Sequence, residues 1–271
     1  MEAQSSHVVM EAQSLHVMMD ELDLPAPVPE TGLLVDTFAD ALKLFNLAMP
    51  HFREAAKYYI LDGFVTEHIN ILMDVSGLYK HLAHFDPDTH RQCVMHRKRT
   101  KPLEPLQKTL NPKAFDGQWK GIHFELGETF RTIMEIKKDT GRPHLKALEA
   151  GSKALYNYNV FLAAVEEGAR IAAGKTEGAE ESKELIRVDK DEENMYLSAR
   201  FCRARVFQKL QPETEGGGPP DTTNLKLALD EFEALLAYAK KFQVQTFKDE
   251  LDICQQMAEL LPTKLNNMHR Q

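Results

Sequence analysis

Apolar residues in this chain recur at steps of three and four from residue 38 almost to the end, and this period dominates what the chain can fold into. Phe38, Leu42, Phe45, Met49, Phe52, Ala56 and Tyr59 fall on one face of a single long helix. Val65, Ile69, Leu72, Ser76, Tyr79 and Ala83 form the stripe of a second, expected over about 64–84. A half-buried strand instead alternates with a period of two, and no convincing segment of that kind is present. The expectation is an all-α protein.

Proline and glycine mark where the helices stop. Pro50 is expected to bend the first helix, because it removes a backbone donor and crowds the preceding turn, and Gly63 offers a left-handed stop. Asp86 and Pro87 read as N-cap and first residue of a third helix, about 88–109, which Pro102 and Pro105 break late. Asn111 and Pro112 give the same start signal for a fourth, reaching about 139. Gly141 and Pro143 separate it from a fifth, about 144–167, with Leu145, Leu148, Leu155, Leu162 and Val165 expected inward. Further helices are expected at about 191–210, 222–242 and 245–261. The Gly-, Ala-, Glu- and Lys-rich stretch 168–190 and the segment 212–220 read as loops.

The domain reading is a 1–34 N-terminal extension and linker, a helical-pair region over 35–262 and a tail over 263–271. The extension contains a nine-residue repeat, 2–10 and 11–19, too short for a solenoid period, and a proline-rich linker at 24–29. Small residues a turn away from aromatics occur at Gly127/Phe130 and Ala228/Phe232, where a partner helix can approach closely. These are loose echoes of tetratricopeptide helices, and they point to a TPR-like α-solenoid of antiparallel helix pairs.

Composition narrows the function classes. A net charge of -8 argues against a general nucleic-acid binder, which needs a basic face, and suits a basic partner. No apolar run approaches the length of a membrane span, and the N-terminus has no basic signal-peptide region, so a cytoplasmic protein without membrane insertion is expected. Three widely spaced cysteines, Cys93, Cys202 and Cys254, read as reduced packing residues.

No catalytic apparatus is legible. Gly168 to Thr176 imitates a phosphate-binding loop, but five residues separate its glycines and a helix precedes it where the mechanism needs a strand. His81, His84 and His90, or Cys93 with His96, lack the paired-ligand spacings of metal sites. No nucleophile elbow or dinucleotide fingerprint appears. The expectation is no enzyme, no cofactor and no metal.

One segment stands out by charge. Arg91, His96, Arg97, Lys98, Arg99 and Lys101 lie in a stretch without any acidic residue, inside an acidic chain. Read as a solvated helix face it does nothing; read as a contact patch it faces an acidic surface on a partner. Tyr79, Lys80 and His84, from the end of the preceding helix, adjoin it across the Asp86-Pro87 turn. The candidate partner-binding residues are therefore Tyr79, Lys80, His84, Arg91, His96, Arg97, Lys98 and Arg99, expected to converge on one rim of the solenoid.

Several runs resemble the kinesin-binding protein family: Tyr58 to His68 (YYILDGFVTEH), Leu78 to Ala83 (LYKHLA), Arg91 to Arg99 (RQCVMHRKR), Leu103 to Leu106, Leu110 to Pro112, and Leu260 to Lys264. They occur in order from about residue 35 to the C-terminus. The resemblance implies a TPR-like solenoid that binds kinesin motor domains and hinders their attachment to microtubules. It further implies cytoskeletal association and roles in mitochondrial transport and axon growth. Family members carry more helix pairs upstream, so the segment 35–60 resembles the second helix of a pair, and part of its apolar stripe is expected to be exposed. The rival from another class is a generic adaptor that captures peptide segments in a helical groove.

Overall fold

A computed structural model describes residues 35–141, 144–175, 185–210 and 221–268. It contains nine helices among the described residues: α1 (Phe38–Tyr58), α2 (Val65–Phe85), α3 (Thr89–Leu103), α4 (Leu106–Thr109), α5 (Asp116–Asp139), α6 (His144–Ala172), α7 (Lys190–Lys209), α8 (Thr223–Phe242) and α9 (Lys248–Met268). Each long helix packs chiefly on its neighbours in sequence, with α3 and α7 also reaching α5. That nearest-neighbour stacking is the architecture of a helical solenoid.

Side-chain pairs fix the direction of the helices. On α5 and α6 the ring of Phe124 meets Phe161, Glu128 accepts from the Tyr158 hydroxyl, and Lys137 Nζ donates to the carbonyl of Lys146 at 3.0 Å. Numbers rise on one helix as they fall on the other, so the pair is antiparallel. Tyr196 against Tyr238 and Arg203 against Glu231 show the same for α7 and α8, and Ser76 with Arg99 and Asp86 with Arg91 for α2 and α3.

Close approach of these pairs depends on small residues. A Cβ built on Gly127 would lie 2.8 Å from the Tyr158 ring, and one on Gly151 would lie 2.6 Å from Leu210. Ala228 and Phe232 are fully buried on α8, as their spacing implies. On α6 the inward face is made of Ala147, Ala150, Ala154, Tyr158, Phe161, Leu162, Val165 and Ala169. Leu162 and Val165 point inward as expected, but Leu145 is 77% exposed, and the alanines take the positions nearest the partner helix.

The boundaries follow the stop signals with four corrections. The helix α5 starts at Asp116 with Phe115 as N-cap, not at Asn111-Pro112, where Asn111 Oδ1 accepts from Lys113 N and holds a turn before the helix. The N-cap of α3 is Asp88, whose carboxylate accepts from the backbone N–H of His90 and Arg91, rather than Asp86. Asp86 ends α2 instead, and its buried carboxylate accepts from Asp88 N and from Arg91. The helix α6 runs on to Ala172, so 168–172 are helical and not loop; 173–175 and 185–189 are turn or irregular as read, and 176–184 lie outside the described residues. Finally, α9 continues through Pro262 to Met268, into the stretch read as a tail. The readings on 1–34 and 212–220 also lie outside the described residues.

The core is one cluster running from Ile69 through α5, α6, α7 and α8 to Leu265, with a smaller satellite of Ala41, Leu82, Ala83 and Met95 between α1, α2 and α3. Only Ala41 and Met49 of α1 are buried, while Leu42, Leu47 and Tyr58 are largely exposed. Of the stripe itself only Leu42 is exposed, at 36%, and only Met49 is fully buried, while Phe38, Phe45, Phe52, Ala56 and Tyr59 are half-buried; Leu47 and Tyr58 lie beside the stripe. All three cysteines are free and buried, and burial pushes the Cys202 and Cys254 thiols up to about 12.

Candidate functional site

The basic segment lies on α3, and helical geometry divides it. Successive residues turn by about 100° around a helix, so three consecutive cations cannot share a face. Arg97, Lys98 and Arg99 accordingly go three ways.

Arg99 points into the protein and is 2% exposed, which corrects its expected place on an exposed rim. Its guanidinium donates to Glu125 of α5 at 2.7 Å and to Ser76 Oγ of α2 at 3.1 Å, and lies 2.9 Å from His96 Nδ1. Ser76 in turn donates to Glu125. One arginine thereby ties three helices together, with the carboxylate offsetting the cost of burying its charge. His96 is also buried rather than on a rim, and burial, followed by the nearby charges of Arg99 and Lys80, holds its pKa down to about 4.

Arg91 is half-exposed and spans the α2–α3 turn, donating to Asp86 at 2.8 Å and lying over the Phe38 ring at 5.3 Å. Lys98 is exposed and sits 5.5 Å over the ring of Tyr79, which itself packs on Phe45. Arg97 is exposed on the opposite flank.

Two open grooves run along the sides of α3. The first, about 570 Å³ between α2, α3 and α5, is lined by Lys80, His81, His84, His96, Arg99, Glu128 and Arg131. Here the structure brings together four of the sequence candidates, Lys80, His84, His96 and Arg99, while Tyr79 is half-buried against Phe45 of α1 and Lys98 stands exposed over its ring. Its far wall is charge-balanced, since Arg131 is held between Glu128 and Glu135 at 2.9 Å each.

The second groove, about 440 Å³ between α3, α5 and α6, carries Arg97, Lys101, Lys137, Lys146 and Lys153 against Glu104 and Glu149. Sequence reasoning missed all of it except Arg97 and Lys101. The spacing of Lys146, Glu149, Ala150 and Lys153 already places them on one face of α6. What no spacing reveals is that this face meets the flank of α3. Among the described residues no group of three His, Cys, Asp or Glu side chains is arranged to hold a metal ion, and no helix is long and apolar enough to cross a membrane.

Fold and surface together define an all-helical, solenoid-type scaffold with charged grooves between its helix pairs. A family model described as KIF-1 binding protein C terminal matches residues 4–268, and the chain belongs to that family. It is similar to the KIF-binding protein of Danio rerio, at 30% identity over 244 residues covering 85% of this chain and 36% of the relative. The KIF-binding proteins of Xenopus tropicalis and Dictyostelium discoideum are 28% and 27% identical, covering 86% of this chain each and 37% of each relative. The chain thus spans a little over a third of the length of these curated relatives. No solved structure matches it significantly.

Proposed function

We propose that this chain is a non-catalytic, cytoplasmic scaffold that holds a kinesin motor domain and hinders its attachment to microtubules, and so regulates microtubule-based transport. The observation that carries the reading is membership in a family whose curated relatives are named for binding KIF proteins. The geometry is compatible with it. Lys80 and Lys98 offer charge along the α2–α3 pair, with His84 and the Asp86-paired Arg91 as polar neighbours and the half-buried Tyr79 ring beneath Lys98. A basic rim on an acidic scaffold orients a partner that carries patches of both signs.

Arg99 and His96 support this rim from behind rather than touching a partner. Arg97 lies on the other flank of α3. The test is retention of purified motor domains, as against motor tails, on the immobilised chain, followed by motor co-sedimentation with microtubules. Retained motor domains that leave the microtubule pellet are expected; retention of tails alone removes the reading in favour of a peptide adaptor. Lys80→Glu with Lys98→Glu should weaken motor retention at low ionic strength without altering helicity, because both side chains are exposed.

A further inference from the structure

From the chemistry of the groove between α3, α5 and α6 we propose a second binding site, for an extended acidic peptide segment of a partner protein. Five cations line this groove against two carboxylates, in a chain whose net charge is -8. Lys153 is committed, since its ammonium lies 3.2 Å from Glu104 and 5.0 Å over the Phe130 ring. Arg97, Lys101 and Lys146 are exposed and make no ion pair with a described residue. Lys137 is buried at the base, where its ammonium finds a neutral carbonyl, that of Lys146, at 3.0 Å. Burial and then the charge of Arg97 hold its pKa below the usual lysine value, while Glu149 acts in the opposite sense. The groove therefore holds positive charge that the fold itself leaves largely unneutralised, and an incoming carboxylate relieves it.

Spacing selects the class of anion. Arg97 and Lys101 are four residues apart on α3, about 6 Å along the axis, and Lys146 and Lys153 are seven apart on α6, about 10 Å. A single phosphate reaches only one such pair. Side chains on the same side of an extended peptide recur every ~7 Å, which sets successive carboxylates against successive cations. The floor of Phe130, Ile133 and Ala150 is almost fully buried, so it offers little to a bulky apolar ligand. This site is separate from the rim on the α2 side of α3, and it stands whether or not that rim binds a motor.

The experiment uses a fluorescein-labelled peptide of alternating Glu and Ser, about ten residues long so as to span the groove. A Lys-Ser peptide of the same length is the control. Anisotropy with the whole chain at low ionic strength should show binding of the Glu-Ser peptide alone, weakening as salt rises. Lys101→Glu with Lys146→Glu should reduce affinity about tenfold, and Lys80→Glu with Lys98→Glu should leave it unchanged. Motor-domain retention, read on the same proteins, separates this site from the rim. Both double variants keep exposed positions exposed, and unchanged circular dichroism checks their fold. No binding by wild type, equal binding by the Lys101/Lys146 variant, or displacement by equimolar tripolyphosphate would each overturn the peptide site.

Discussion

Arg99 is the residue whose removal tests the architecture most directly. Its guanidinium is 2% exposed and is the counter-charge of Glu125, whose side chain keeps 16% exposure. In Arg99→Ala the carboxylate loses its cation, Ser76 loses a donor, and His96 loses a neighbour at 2.9 Å. Breaking a buried ion pair by removing one partner costs about 3–5 kcal/mol, and the partial hydration left to Glu125 places this site near the lower end. In a domain of this size each kcal/mol moves the melting temperature by about 2–4 °C, so a cost of about 3 kcal/mol should make Arg99→Ala melt roughly 6–12 °C below wild type. Arg99→Met combined with Glu125→Met removes both charges and should recover at least half of the loss, since an apolar pair of similar volume needs no counter-ion. Thermal circular dichroism and urea titration of wild type, both singles and the double variant form the assay. If Arg99→Ala melts within about 2 °C of wild type, the pair does not tie α2, α3 and α5 together and the reasoning fails.

Other consequences are equally concrete. Because His96 is buried neutral with its pKa near 4, the unfolded chain takes up a proton first as pH falls from about 6.5. Stability should therefore drop by about 3 kcal/mol between pH 6.5 and 4 from this group, and His96→Gln should flatten that part of the profile in urea titrations. Gly127→Ala drives a methyl group to 2.8 Å from the Tyr158 ring and should cost about 1–3 kcal/mol, read as a lowered urea midpoint. Leu145→Ser should change stability by less than about 0.5 kcal/mol, whereas Leu162→Ala should cost about 2–5 kcal/mol, although both leucines belong to the same sequence stripe.

The helices were legible because their signals are local. A period of 3.6, a glycine with positive φ such as Gly63, and prolines after a helix end act through the residues themselves, whatever packs against them. The errors of boundary are of the same local kind. Asp86 and Asp88 are both able to cap, and the choice fell to Asp88 because Arg91 and the turn hold the Asp86 carboxylate inside. Likewise Pro262 removes one backbone donor from α9, yet the helix continues past it to Met268, with Leu265 buried beyond the proline.

The sequence by itself determined an all-α chain, most of its helix ends to within a few residues, the close approach at Gly127, the burial of Ala228, and a basic stretch in an acidic protein. It also carried the resemblance to a family that the match over 4–268 supports. Only the tertiary structure decided what each cation of that stretch does. Arg99 and Glu125 are 26 residues apart and Lys153 and Glu104 are 49 apart, so no periodicity on one helix reveals either pair. Burial of Arg99 and exposure of Arg97 and Lys98 follow from which face of α3 meets α2 and α5. Leu145 lies outside and Ala147 inside for the same reason: the contact surface is set by the helices that arrive, and a residue's own hydrophobicity cannot name its neighbour.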